Sequence, residues 1–241
     1  MKLNLVEIHK SLSKAYLKQD LNSEQIDNFK ANLKILFTKS DIAESKKEHE
    51  EHFKNIVSDF LKDTYYKNDY EINISKRKDL VIHNGKSSSD SIGVILEAKK
   101  PLNEVEMITQ KTPNSKALHE LILYYFEERN ENRNIEIKHL IACNVYEWFI
   151  FDENHFDKIF YRNIKLQKLY KIKKEQSKDN TFFYLETQKI IEDLNDEILC
   201  TYFNLQDYKK EVEDSKSDCL INLYKISLLT DKKIKKKGTS L

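Results

Sequence analysis

Apolar positions alternate with polar ones through residues 70–83, then run on as Leu80, Val81 and Ile82. That pattern predicts a half-buried strand. Asn84-Gly85 and the run Ser87, Ser88, Ser89, Asp90, Ser91 mark a turn. A second strand follows over residues 92–99 and is closed by Pro101. Before this hairpin, Ile26, Phe29, Leu33 and Phe37 recur at helical spacing, with Ser23 as the expected cap. Phe53, Ile56, Val57, Phe60 and Leu61 give a second helix over residues 41–65. After the hairpin come a polar loop (103–113), a helix from Asn114 or Ser115 through Arg129, and strands over 135–143 and 147–152. Residues 6–17 read as helical. So do residues 183–214, on a stripe of Ile190, Ile191, Leu194, Ile198 and Leu199.

The order helix–strand–strand–helix–strand–strand predicts an α/β chain, with a mixed central sheet of about four or five strands flanked by helices. The expected division is a helical N-terminal extension (1–40), a core (41–160), and a basic and aromatic segment with a C-terminal helix and basic tail (161–241).

The hairpin carries the candidate chemistry. Side chains alternate along a strand, so Glu97 and Lys99 share one face. Charges directly after three aliphatic residues need partners or a metal, because burying an unpaired charge is costly. Asp79 lies on the preceding strand. Two carboxylates and a lysine suit phosphodiester hydrolysis. Mg²⁺ prefers hard oxygen ligands, activates water and stabilises a leaving oxygen. Asp79 and Glu97 would hold the metal, and Lys99 would orient or deprotonate the attacking water. Glu-x-Lys recurs at Glu44–Lys46 and Glu136–Lys138, but only Glu97–Lys99 closes a buried strand facing an aspartate.

These residues also resemble a known family. Asp79-Leu-Val-Ile, with Val94-Ile-Leu-Glu-Ala-Lys-Lys-Pro101, looks like the PD-(D/E)xK nuclease core. Residues 55–66, 116–125 and 138–152 are similar to the N-terminal region of bacterial type IIG restriction enzymes, which join a nuclease and a methyltransferase in one chain. The resemblance spans about residues 20–210. It implies a restriction-endonuclease-like fold and a Mg²⁺-dependent (Mn²⁺-tolerant) endonuclease acting on double-stranded DNA. It implies a metal-site glutamate on the helix before the sheet, here Glu50, which lies near the apolar stripe, with Glu51 second. Glu120 and Tyr124 resemble a Gln-x-x-x-Tyr motif with Glu in place of Gln. They would place Tyr124, and Lys116 on the same side, as possible DNA contacts.

Composition narrows the rest. Only 3 glycines and 2 prolines leave no phosphate loop or dinucleotide fingerprint. The methyltransferase half of a type IIG enzyme is therefore not here, and recognition would fall to a separate methyltransferase or specificity module. The alternative is a catalytically weak or inactive nuclease-like module that docks on DNA. A net charge of +1 neither requires nor forbids DNA. Residues 160–174 interleave lysines with aromatics and would follow a phosphate backbone or simply solubilise the chain. Trp148 would stack on a base or pack in the core, and His139 fits a core or edge position. Cys143, Cys200 and Cys219 are widely spaced, which fits a reducing cytoplasm rather than a disulfide frame or zinc site. No apolar run is long enough to span a membrane, and charges from Lys2 onward argue against a signal segment.

Overall fold

The computed structural model describes residues 1–75, 78–212, 218–227 and 229. The basic tail expected over residues 231–238 lies outside them. The chain builds one mixed sheet of seven strands flanked by helices: β1 (Lys2–Val6), β2 (Ile72–Ser75), β3 (Lys78–His83), β4 (Ile92–Ala98), β5 (His139–Cys143), β6 (Glu147–Asp152) and β7 (Glu197–Asn204), in spatial order β1-β7-β6-β5-β4-β3-β2. Pairings β1/β7 and β4/β5 are parallel and the others antiparallel. The segments 1–40, 41–160 and 161–241 all contribute to this sheet or its covering layers.

Two apolar cores lie on the two faces. Strand alternation sends Leu80, Ile82, Val94, Leu96 and Ile141 to one. It sends Val81, Ile95, Leu140 and Ala142 to the other. The first core is covered by α3 (Ser23–Ser45), α4 (Glu50–Leu61) and α9 (Asp218–Ser227), through side chains such as Phe29, Phe53 and Leu223. The second is covered by α5 (Lys116–Asn130), α6 (Glu153–Phe156), α7 (Ile164–Glu175) and α8 (Asn180–Glu192).

Several expectations need correction. The sheet has seven strands rather than four or five, and the single strand expected over residues 70–83 is two, β2 and β3, which pair antiparallel with each other. Residues 2–6, upstream of the expected first helix, form the edge strand β1. Only two single turns follow, α1 (Ile8–Ser11) and α2 (Lys14–Leu17). The first long helix runs on to Ser45, and α4 starts at Glu50 and continues through a π-helical turn (Lys62–Tyr66). Asn22, not Ser23, caps α3: its side chain accepts from the Gln25 N–H while the Gln25 side chain returns to the Asn22 backbone. The helix expected over 183–214 ends at Glu192, and Ile198 and Leu199 belong to β7. Two adjoining apolar runs merged into one apparent stripe, because a short buried strand and a buried helix segment share the same periodicity signal.

The strands over 147–152 and 92–98 fall where the pattern places them, and β5 is confined to the last part of 135–143. At the hairpin turn Gly85 lies so close to the Asp90 carboxylate that a Cβ there would collide with it.

Candidate active site

The β3–β4 register pairs Leu80 with Leu96. One step further along, Asp79 stands level with Glu97, on the α5 face with Val81 and Ile95. Asp79 Oδ2 accepts the Ala98 backbone N–H at 3.1 Å. The strand pair thus fixes the carboxylate against the residue between Glu97 and Lys99.

Lys99 is the hub. It is 3% exposed, and its Nζ lies 2.6 Å from Glu97 Oε1, 2.8 Å from Glu120 Oε2 and 3.7 Å from Glu50 Oε1. Its backbone N–H donates to the Cys143 carbonyl, which anchors the end of β4 on β5. Three elements therefore converge on one ammonium: Glu97 from β4, Glu120 from α5 and Glu50 from the first turn of α4. Asp79, Glu97, Lys99 and Glu50 are brought together.

Electrostatics follow from burial. Desolvation pushes the Glu97 carboxyl well above the usual carboxylate range, against the pull of Lys99. For Lys99 burial works downward, but Glu97 and Glu120 outweigh it and hold the ammonium above the ordinary lysine value. Among the described residues the buried Glu97 Oε2 meets no N–H or ammonium donor, and the Glu120 carboxyl adds to the upward push.

Two participants escape a strand-based reading. Lys54, one turn after Glu50 on α4, places Nζ 2.6 Å from Asp79 Oδ1 and 3.5 Å from Glu51 Oε2. Burial lowers its affinity for a proton, and the bond to Asp79 overcomes this and raises it. The only sequence signal was its spacing of four from Glu50, which puts both on one helical face. Glu120 was marked only through the motif resemblance, and α5 explains why. Eleven of its residues are buried, so it has no solvent face against which a polar stripe would stand out.

Tyr124 is 4% exposed, and burial, then the Glu97 and Glu120 charges, push its hydroxyl up. Lys116 pairs with Glu106 at 2.7 Å. Glu51 is mostly exposed and, among the described residues, pairs with Lys54. Trp148 is buried, donates Nε1–H to the Val145 carbonyl and stacks on Phe203 at 5.8 Å. His139 is a core residue of β5. In the 160–174 stretch, Lys165 pairs with Asp193, and Lys174 with Glu131.

The carboxyl donors are of the hard-oxygen type that Mg²⁺ takes, and Glu97 Oε2 is a buried acceptor that meets no N–H or ammonium donor among the described residues. Among the described residues, no three His, Cys, Asp or Glu side chains are grouped as a metal cage. The cations standing among the carboxylates are Lys54 and Lys99.

A family model matches residues 6–237. The chain belongs to the DUF7149 family, a domain of unknown function. No curated protein and no solved structure matches it. For this DUF7149 chain the site geometry is therefore the basis of any functional reading. Among the described residues no helix is long and apolar enough to cross a membrane.

Proposed function

We propose that this chain is a Mg²⁺-dependent DNA endonuclease of restriction type, with Mn²⁺ able to substitute, hydrolysing phosphodiester bonds of double-stranded DNA in the cytoplasm. We read its sheet as a restriction-endonuclease-like core. One observation carries the reading: a buried lysine held by Glu97, Glu120 and Glu50, directly beside the strand that carries Asp79. Of the Glu-x-Lys runs at 44–46, 97–99 and 136–138, Glu97–Lys99 is the one whose lysine is buried among carboxyl groups.

Asp79, Glu97 and Glu50 would hold the metal, which supplies an activated water and stabilises the leaving oxygen. Lys99, which Glu97 and Glu120 hold above the ordinary lysine value against its burial, would act as a charge and hydrogen-bond donor. Its ammonium orients the water and offsets charge on the phosphate. Lys116, at the start of α5, is the DNA contact proposed on the Glu120 side of that helix. Sequence recognition is assigned to a methyltransferase or specificity module.

A second reading is a nuclease-like module that docks on DNA without cutting it. The Asp79 pairings favour it, because both carboxylate oxygens are already engaged, one by Lys54 and one by the Ala98 N–H.

Cleavage of supercoiled plasmid separates the two. The endonuclease reading expects nicking or linearisation with Mg²⁺ or Mn²⁺, lost in the near-isosteric Glu97→Gln. DNA binding without cleavage in wild type would select the docking module. Equal cleavage by wild type and Glu97→Gln would place the activity elsewhere.

A further inference from the structure

Asp79 offers a cation only one oxygen. Its Oδ2 is taken by the Ala98 N–H at 3.1 Å, and Oδ1 faces the Lys54 ammonium at 2.6 Å. Lys54 is no ordinary surface lysine. Its side chain is 14% exposed, on the flank of a helix whose other face buries Phe53, Ile56, Val57 and Phe60. Around it, five carboxyl groups (Glu50, Glu51, Asp79, Glu97 and Glu120) lie within ion-pair distance of two ammonium groups, Lys54 and Lys99. The buried Glu97 Oε2 is met by neither. Carboxyl groups thus outnumber ammonium groups in the cluster, and Lys54 stands on the Asp79 oxygen that the Ala98 N–H leaves free.

We propose that Lys54 is the resident counter-ion of Asp79, and that a divalent cation enters this site by displacing it. The inference rests on the metal-site reading above. A dication and an ammonium compete for the same lone pairs and repel each other at short range. Lysine suits such a role, since its point charge sits on a flexible four-carbon stem and forms no rigid bidentate fork. Lys54 is then a positioning residue. In the metal-free protein it holds Asp79 in place and neutralises it, and it lowers the affinity of the site for metal.

The decisive quantity is metal affinity, measured without DNA or turnover. MnCl₂ is titrated calorimetrically into wild type, Lys54→Met and Lys54→Arg, each checked for a cooperative melt. Lys54→Met, which removes the charge and keeps the bulk, is expected to bind Mn²⁺ about tenfold tighter, and the charge-retaining Lys54→Arg to stay near wild type. A residue that merely supported the fold would lose affinity on substitution. Should Lys54→Met fold poorly, Lys54→Gln carries the same expectation. Measurable binding that is equal or weaker in the charge-removed variants overturns the counter-ion role and leaves the metal site standing. No Mn²⁺ binding by wild type or variants at millimolar concentration overturns the metal site and the counter-ion role together.

Discussion

Lys99 Nζ lies 2.8 Å from Glu120 Oε2, so the lysine that closes the central hairpin strand is held by a carboxylate from α5, the helix packed across that face. Lys99 is almost wholly buried and also carries Glu97 at 2.6 Å. Removing it leaves two buried carboxyl groups without their counter-charge. Lys99→Ala is therefore expected to destabilise the fold by about 3–5 kcal/mol, the scale for breaking a buried ion pair from one side. Lys99→Met combined with Glu97→Gln should recover a large part of that loss, because the double change removes charge from both sides. Urea midpoints of the single and double variants test this. Equal midpoints for Lys99→Ala and wild type would mean that the network contributes nothing to stability.

The outcome at this site shows what a linear pattern can carry. The hairpin was legible because period-two alternation and an Asn-Gly turn are local signals, and they brought Asp79, Glu97 and Lys99 to one place. Lys54 was not legible, because a lysine on an amphipathic helix looks solvated until a partner on another element is known. The strands β1 and β7 failed for a different reason. Residues 2–6 are too short for their alternation to stand out from the helical turns that follow. Residues 197–204 follow a helix with only a short break, and they read as its continuation. β1 owes its identity to β7, paired in parallel across nearly the whole chain, and β7 is held between β1 and β6. That is information no local window contains.

Trp148 gives a direct optical test of whether the sheet interior meets DNA. It is 1% exposed, bonded through Nε1 to Val145 and stacked on Phe203. A tryptophan so placed emits at short wavelength, and as the only one in the chain it reports without ambiguity. Adding double-stranded DNA is expected to leave its emission maximum unchanged. A marked quench or red shift on saturation with DNA would restore the base-stacking role and imply that β6 becomes exposed.

Acid sensitivity should come in part from two buried histidines. Burial holds His119 and His139 down to about 4, whereas an unfolded histidine titrates near 6.5. Below that value the unfolded chain takes up protons that the folded chain refuses. The stability these groups confer is therefore complete above about pH 6.5 and is lost as the pH falls toward 4, on the order of 3 kcal/mol for each at most. Urea midpoints at pH 7.0 and 4.5 should differ less in His139→Leu than in wild type. An identical difference in both would assign the acid sensitivity to other groups.

Metal binding, if it occurs at Asp79, must also appear as stability. A ligand that binds only the folded chain stabilises it by about 2.7 kcal/mol at a hundredfold excess over its Kd. For a chain of this size that is a rise in melting temperature of roughly 5–10 °C. Mg²⁺ and Mn²⁺ are expected to raise the melting temperature of the wild type and to leave Asp79→Asn unmoved, since the variant loses the carboxylate nearest the displaced Lys54. The comparison has to be made within each protein, with and without metal, because Asp79→Asn also breaks the Lys54 pair and lowers the starting point. A rise that persists in Asp79→Asn would place the bound metal elsewhere. Flat melting temperatures across millimolar Mg²⁺ and Mn²⁺ would leave Lys54 and Lys99 as the permanent cations of the cluster, and the docking module as the better description of the chain.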